Sequence, residues 1–125
     1  MKSLLGTVCL LALSLVPATA ADPSKQVIAI LSVKPPATRE QIMKMMDQEI
    51  RDTVDLYLKG KITQWYSRQD GKGVVFFLSC ETVAEAKALT DELPLIKANY
   101  AEFNFIGVAP LTPLRLLLKA PAPAN

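Results

Sequence analysis

The stretch Glu92-Leu-Pro-Leu-Ile-Lys-Ala-Asn-Tyr-Ala-Glu-Phe-Asn-Phe-Ile-Gly-Val-Ala-Pro-Leu111 decides the fold of this chain. It reads as the end of a helix, a turn at Pro94, a connection through Ile96 to Asn99, and a long strand from Tyr100 to Val108. Side chains alternate along such a strand. Tyr100, Glu102, Asn104 and Ile106 fall on one face, and Ala101, Phe103, Phe105 and Gly107 on the other. The second set suits a sheet face covered by helices.

Upstream, Thr82-Val83-Ala84-Glu85 has the form of a capping box, and Val83, Ala86, Leu89 and Leu93 give an apolar stripe. A helix over 82–92 is expected. Before it, Gly73 or Val74 to Cys80 and Ile62 to Arg68 read as two strands joined by Gln69-Asp70-Gly71-Lys72-Gly73, a strong hairpin signal. A longer helix precedes them. Thr38 and Gln41 form its capping box, Ile42, Met46, Ile50, Val54 and Leu58 its apolar stripe, and Gly60 its left-handed stop. Gln26 to Val33 is a nearly continuous apolar run ended by Pro35-Pro36, and reads as a strand covered on both faces.

The order β-α-β-β-α-β predicts an α+β, ferredoxin-like domain, with a four-stranded antiparallel sheet and both helices on one face. Ile28 and Ile30 then oppose Ala29 and Leu31, and Val75 and Phe77 oppose Phe76 and Leu78. Both faces of the central strands are apolar, and helices cover only one. A second copy of the sheet is the economical cover for the other, giving a dimeric α+β barrel. A domain of about 105 residues buries roughly two-thirds of its unfolded surface, so pairing also helps stability.

The first residues read as an export signal. Lys2 precedes an apolar run from Leu4 to Val16, and Ala18-Thr19-Ala20 has the form of a cleavage site. The expected organisation is a signal peptide at 1–20, a linker at 21–25, the domain at 26–111 and a Pro-rich tail at 112–125. Within the tail, Leu114 to Leu118 is an apolar patch expected to dock on the body or on a partner. The prediction is a soluble exported protein of the bacterial periplasm, with no membrane contact after cleavage.

Losing Lys2 with the signal leaves a nearly neutral chain, which removes the electrostatic case for nucleic acid. Cys80 alone of the two cysteines survives cleavage, so it has no internal disulfide partner, and a buried thiol is expected. The sequence holds no histidine. Histidine acid–base catalysis is excluded, and neither a metal site nor a cofactor is expected. Met43, Met45 and Met46 suit adaptable packing and not copper.

Gly60-Lys61, then Trp65, a hairpin, a strand ending Ser79-Cys80-Glu81, a helix ending Leu93-Pro94-Leu95 and a strand ending Val108-Ala109-Pro110-Leu111 resemble the muconolactone isomerase-like branch of the dimeric α+β barrel proteins. The related YciI-like branch shares the fold and a similar last strand. The resemblance covers nearly the whole domain. It implies a protomer that pairs through its sheet and a small, partly apolar cavity between sheet and helices. It also implies proton transfer within a small organic acid or lactone, without metal or cofactor. Both branches carry a histidine that this chain lacks.

Without histidine, the acid–base candidates are Glu102 on the last strand and Glu49 on the first helix. Glu102 either faces a barrel interior, where desolvation would raise its pKa, or reaches solvent or Arg68. Glu49 lies near a helix glutamate of the isomerase pattern, or is a solvated residue paired with Lys44 or Arg51. Trp65, Tyr66, Arg68, Tyr100 and Asn104 are the substrate-binding candidates, with Tyr100 or Arg68 holding developing charge. The aromatic three also suit core or dimer interface, the commoner place for such residues in a small domain. Gln64, Tyr66 and Arg68 alternate on one face of their strand and also suit an ordinary polar edge, the commoner reading. The competing function is a non-catalytic dimer that binds a small ligand or a protein.

Overall fold

Two antiparallel pairings of β1 (Gln26–Val33) organise the chain. The computed structural model describes residues 25–118. The segment read as an export signal and the final residues, 119–125, lie outside the described residues. On one side β1 meets β4 (Ala101–Val108) along its whole length, from Gln26 opposite Val108 to Val33 opposite Ala101. On the other it meets β3 (Val74–Leu78), which pairs in turn with β2 (Ile62–Ser67). The sheet order is β2-β3-β1-β4. The domain is α+β with a four-stranded antiparallel open sheet, an arrangement compatible with the ferredoxin-like order.

The helices begin where the sequence signals them. In α1 (Arg39–Leu58), Thr38 Oγ1 accepts from Gln41 N–H and Gln41 Oε1 accepts from Thr38 N–H. Thr82 and Glu85 repeat the device at α2 (Val83–Thr90). Each cap is worth about 1 kcal/mol. Gly60, at φ 71°, carries the chain out of α1.

Pro94 starts an element instead of only ending one. It is the first residue of a short third helix, α3 (Pro94–Lys97), where a missing N–H costs nothing. The expected helix over 82–92 is α2, which ends at Thr90, and α3 occupies part of the stretch expected to be a connection. Asn99, at φ 59°, turns the chain into β4. Tyr100 therefore stands before the strand and does not share its alternation. It packs with Leu31, Leu95 and Ala101 instead of joining Glu102. The tail, expected to be irregular, winds as a 3₁₀ helix over Thr112–Leu118, with Leu114 and Leu118 exposed.

The core lies between the sheet and the helices. Val27, Ala29, Phe76 and Leu78 from the sheet are buried with Ala86 of α2, and Leu56 of α1 packs against them. Phe103 and Phe105 pack there too, as their alternation predicts. Cys80 is buried in the same cluster, and burial pushes its thiol pKa up. The opposite sheet face carries Phe77, Ile28 and Ile106 in one cross-strand row. The next row holds Tyr66, Val75, Ile30 and Asn104. Among the described residues no helix lies over these rows.

The inward stripe of α1 departs from the expected one. Ile42, Met45, Glu49 and Leu56 turn inward, whereas Ile50 is half-exposed and Leu58 is 77% exposed. Met43 is also exposed, so only two of the three helical methionines pack.

Candidate functional site

A cavity of about 660 Å³ lies between α1 and the helix-covered face of the sheet. Its floor is Leu31 of β1 with Val74 and Phe76 of β3, and Leu95 of α3 closes one side. Ile42, Met46, Ile50 and Val54 of α1 form the roof. Trp65, Ser67 and the hairpin from Arg68 to Gly73 border it from the β2 side. The half-exposed Ile50, Val54 and Trp65 mark its mouth. Such a volume, apolar walls and few polar groups are usual for small-molecule sites.

Glu49 is the one carboxyl group on this lining. It is only 7% exposed, and Leu95 N–H donates to its Oε2 at 2.9 Å. Among the described residues nothing hydrogen-bonds its Oε1. Burial pushes its pKa up, the Leu95 bond opposes that in part, and the negative charge of Asp52 adds to the rise. The expected pairing with Lys44 or Arg51 is not what holds it. Lys44 pairs with Glu40 at 2.9 Å, one turn away on the surface.

Trp65 stands opposite Phe76 in the register and so faces the helices. Tyr57 of α1 stacks on its indole, with centroids 4.3 Å apart and planes 14° from parallel. Tyr66 borders the cavity, but its ring meets Phe77 edge-on across the other sheet face, and its hydroxyl lies 3.4 Å from Gln64 Oε1.

Arg68 borders the cavity at the hairpin, but its guanidinium reaches Ser32, which lies on the open sheet face. Its Nη1 donates to Ser32 Oγ at 2.9 Å, and its Nη2 pairs with Asp70. Lys72 N–H holds the other carboxylate oxygen of Asp70 at 3.0 Å. That bond is the main reason the Asp70 pKa is lowered; desolvation opposes it, and the Arg68 hydrogen bond and charge add to the lowering.

Of the residues read from the sequence, the cavity gathers Glu49, Trp65, Tyr66 and Arg68. Glu102 and Asn104 are exposed on the opposite sheet face, in line with Ser32 and Ile30. Arg68 pairs with Asp70 and not with Glu102. Tyr100 belongs to the cluster around Leu31 and Leu95. Sequence reasoning missed Thr53, Leu95 and Gly73. Thr53 follows Ile42, Met46 and Glu49 at helical spacing of three or four, a signal available in the chain.

Among the described residues no cluster of three or more cysteine, aspartate or glutamate side chains is placed to hold a metal ion. Nor is any helix there long and apolar enough to cross a membrane. No protein-family model matches the chain, and no curated protein matches it significantly.

Proposed function

We propose that the cavity beneath α1 binds a small organic molecule and that Glu49 moves a proton within it, as a cofactor-independent isomerase of the muconolactone isomerase type would. The observation that carries this reading is the Glu49 carboxyl itself. One oxygen is anchored by Leu95 N–H, the other has no described partner, and burial raises the pKa toward working pH. In the ionised form Oε1 takes a proton from the carbon beside a carbonyl of a small acid or lactone. It returns that proton to the far end of a conjugated system, so nothing is consumed.

The assembly is part of the proposal. The row of Phe77, Ile28 and Ile106 supports pairing of two copies through the open sheet face into a dimeric α+β barrel. In that dimer Glu102 and Asn104 would line the interface. The leader composition supports export to a bacterial periplasm.

A second reading has its own observation. Glu49 supplies an acceptor to α3, whose N-cap residue Leu93 makes no side-chain cap bond. A purely structural acceptor in a non-catalytic binding protein would look the same. The test uses α-angelica lactone, whose double bond moves into conjugation when one proton is transferred. Wild type should accelerate this over buffer and Glu49→Gln should not, while both bind the lactone. Binding without acceleration supports the non-catalytic reading. Neither binding nor acceleration defeats the small-molecule site.

A further inference from the structure

We propose that the cavity beneath α1 accepts small organic amines, with the ligand's ammonium group against Glu49 Oε1 and its hydrocarbon body among the apolar walls. The inference rests on the cavity being a small-molecule site, and not on the proton transfer proposed for it. An amine in this position takes the oxygen that the transfer uses, so amine and substrate exclude each other.

Glu49 is a buried carboxyl group for which the fold supplies no counter-ion. Among the described residues no cation pairs with it. Lys44 is held by Glu40, Lys59 by Asp55 and Lys97 by Glu92, Arg51 is exposed, and Arg68 turns to Ser32 and Asp70. Asp52, on the same helix, accepts from Gln48 and adds negative charge. The carboxyl group is also fixed in orientation. Leu95 N–H donates to Oε2 and leaves Oε1 without a described partner. Every sealed side-chain nitrogen and oxygen among the described residues has a hydrogen-bond partner, so Oε1 is not sealed. It stays open to the cavity that Glu49 lines.

Charge decides which ligand gains most there. A carboxylate is repelled by ionised Glu49. A neutral hydroxyl or carbonyl group gains one ordinary hydrogen bond at most. An ammonium group forms a charge-assisted bond with the ionised carboxylate, roughly twice as strong as a neutral one. It also supplies the missing counter-charge, which offsets the cost of ionising a buried acid. A buried ion pair repays its desolvation only when its remaining polar atoms are satisfied. Leu95 N–H already serves Oε2. On the ligand's side, Thr53, one turn along α1 on the same lining, carries a hydroxyl able to accept a second ammonium N–H. Trp65 and Phe76 add aromatic rings, whose faces attract cations. Leu31, Met46 and Ile50 take the hydrocarbon.

Trp65 is the sole tryptophan of the sequence and lines this cavity, so its emission reports occupancy directly. The full chain should be titrated at about pH 8, where an alkylamine is protonated, with cyclohexylmethylamine, cyclohexylmethanol and sodium cyclohexanecarboxylate. These share a ring and differ in charge. The amine should bind at least about tenfold tighter than the alcohol, with the carboxylate weakest. Glu49→Gln keeps an oxygen for Leu95 N–H and loses the charge. It should bring amine and alcohol to within about twofold of each other, with a melt monitoring its folding. In the wild type, lowering the pH through the Glu49 titration should weaken the amine and leave the alcohol unchanged. Alcohol binding as tight as amine binding in the wild type overturns the inference and leaves the small-molecule site standing. An amine preference that survives Glu49→Gln overturns it too, as does a wild-type ratio of amine to alcohol affinity that is independent of pH. No saturable response to any of the three probes removes the inference together with the site.

Discussion

Substitution of Glu49 separates its structural bond from its ionisation. Leu95 N–H is a buried donor in the first turn of α3, and Glu49 Oε2 is its acceptor at 2.9 Å. Glu49→Ala orphans that donor at a cost of about 1–3 kcal/mol. For a domain of this size that lowers Tm by roughly 4–20 °C. Glu49→Gln keeps an oxygen in place and removes only the titration. Burial raises the Glu49 pKa, so the folded chain holds that proton more tightly than the unfolded chain does. The ionised side chain therefore costs stability. The cost begins as pH rises past the unfolded value of about 4.3 and is complete above the raised folded value. Glu49→Gln is free of it, and should melt above wild type at neutral and alkaline pH, with the two converging below about pH 4. Thermal melts followed by circular dichroism across that range provide the measurement. Two results would refute the reasoning. Glu49→Ala as stable as Glu49→Gln would mean the Leu95 bond contributes nothing. Glu49→Gln melting below wild type at neutral pH would mean the site favours the charge.

Three further substitutions test the frame around the site. Gly73→Ala places a Cβ 2.0 Å from the Leu31 carbonyl oxygen at φ 149°, and should cost more than about 3 kcal/mol in chemical denaturation. Gly71→Ala, at φ 68° with nothing within 4 Å, should cost only about 1–2 kcal/mol, and equal losses would contradict the close approach to β1. Ile106→Lys alters a side chain 48% exposed in the single chain, so the fold should hold while light scattering shows the proposed dimer lost. A dimer that persists would place the interface elsewhere. Tyr57→Ala strips the stacked ring from Trp65, and should cost about 1 kcal/mol and shift the emission to the red. An unshifted spectrum would deny the stack.

The sheet and both long helices were legible because each has a local signal. Thr38 with Gln41 and Thr82 with Glu85 marked helix starts, and the observed bonds are those the spacing requires. Asp70-Gly71 marked the hairpin, and the alternation of Val27 to Leu31 divided the two faces correctly. The errors occur where a residue has two local meanings. Pro94 ends one helix and equally begins another, and only the Leu95 contacts with α1 and the sheet decide that it begins one. Tyr100 continues the alternation of β4 on paper, but the left-handed Asn99 breaks the register just before it.

The candidate site was half legible, and the missing half has a geometric cause. Apolar residues spaced four apart drift about 40° per step around a helix of 3.6 residues per turn. Four steps from Ile42 to Leu58 amount to about 160°, so the strict spacing ends on the solvent side. The row that stays inward alternates steps of four and three, through Ile42, Met46, Glu49, Thr53 and Leu56. That row carries a carboxylate in its middle, which local hydropathy reads as a sign of solvent. The explanation lies 46 residues away, in the N–H of Leu95. Two local anomalies existed in the sequence: an acidic residue on an inward row, and a helix start at Leu93-Pro94 with no side chain to cap it. Each alone says little. As donor and acceptor of one bond they account for each other, and the same bond leaves Oε1 as the carboxyl oxygen open to chemistry.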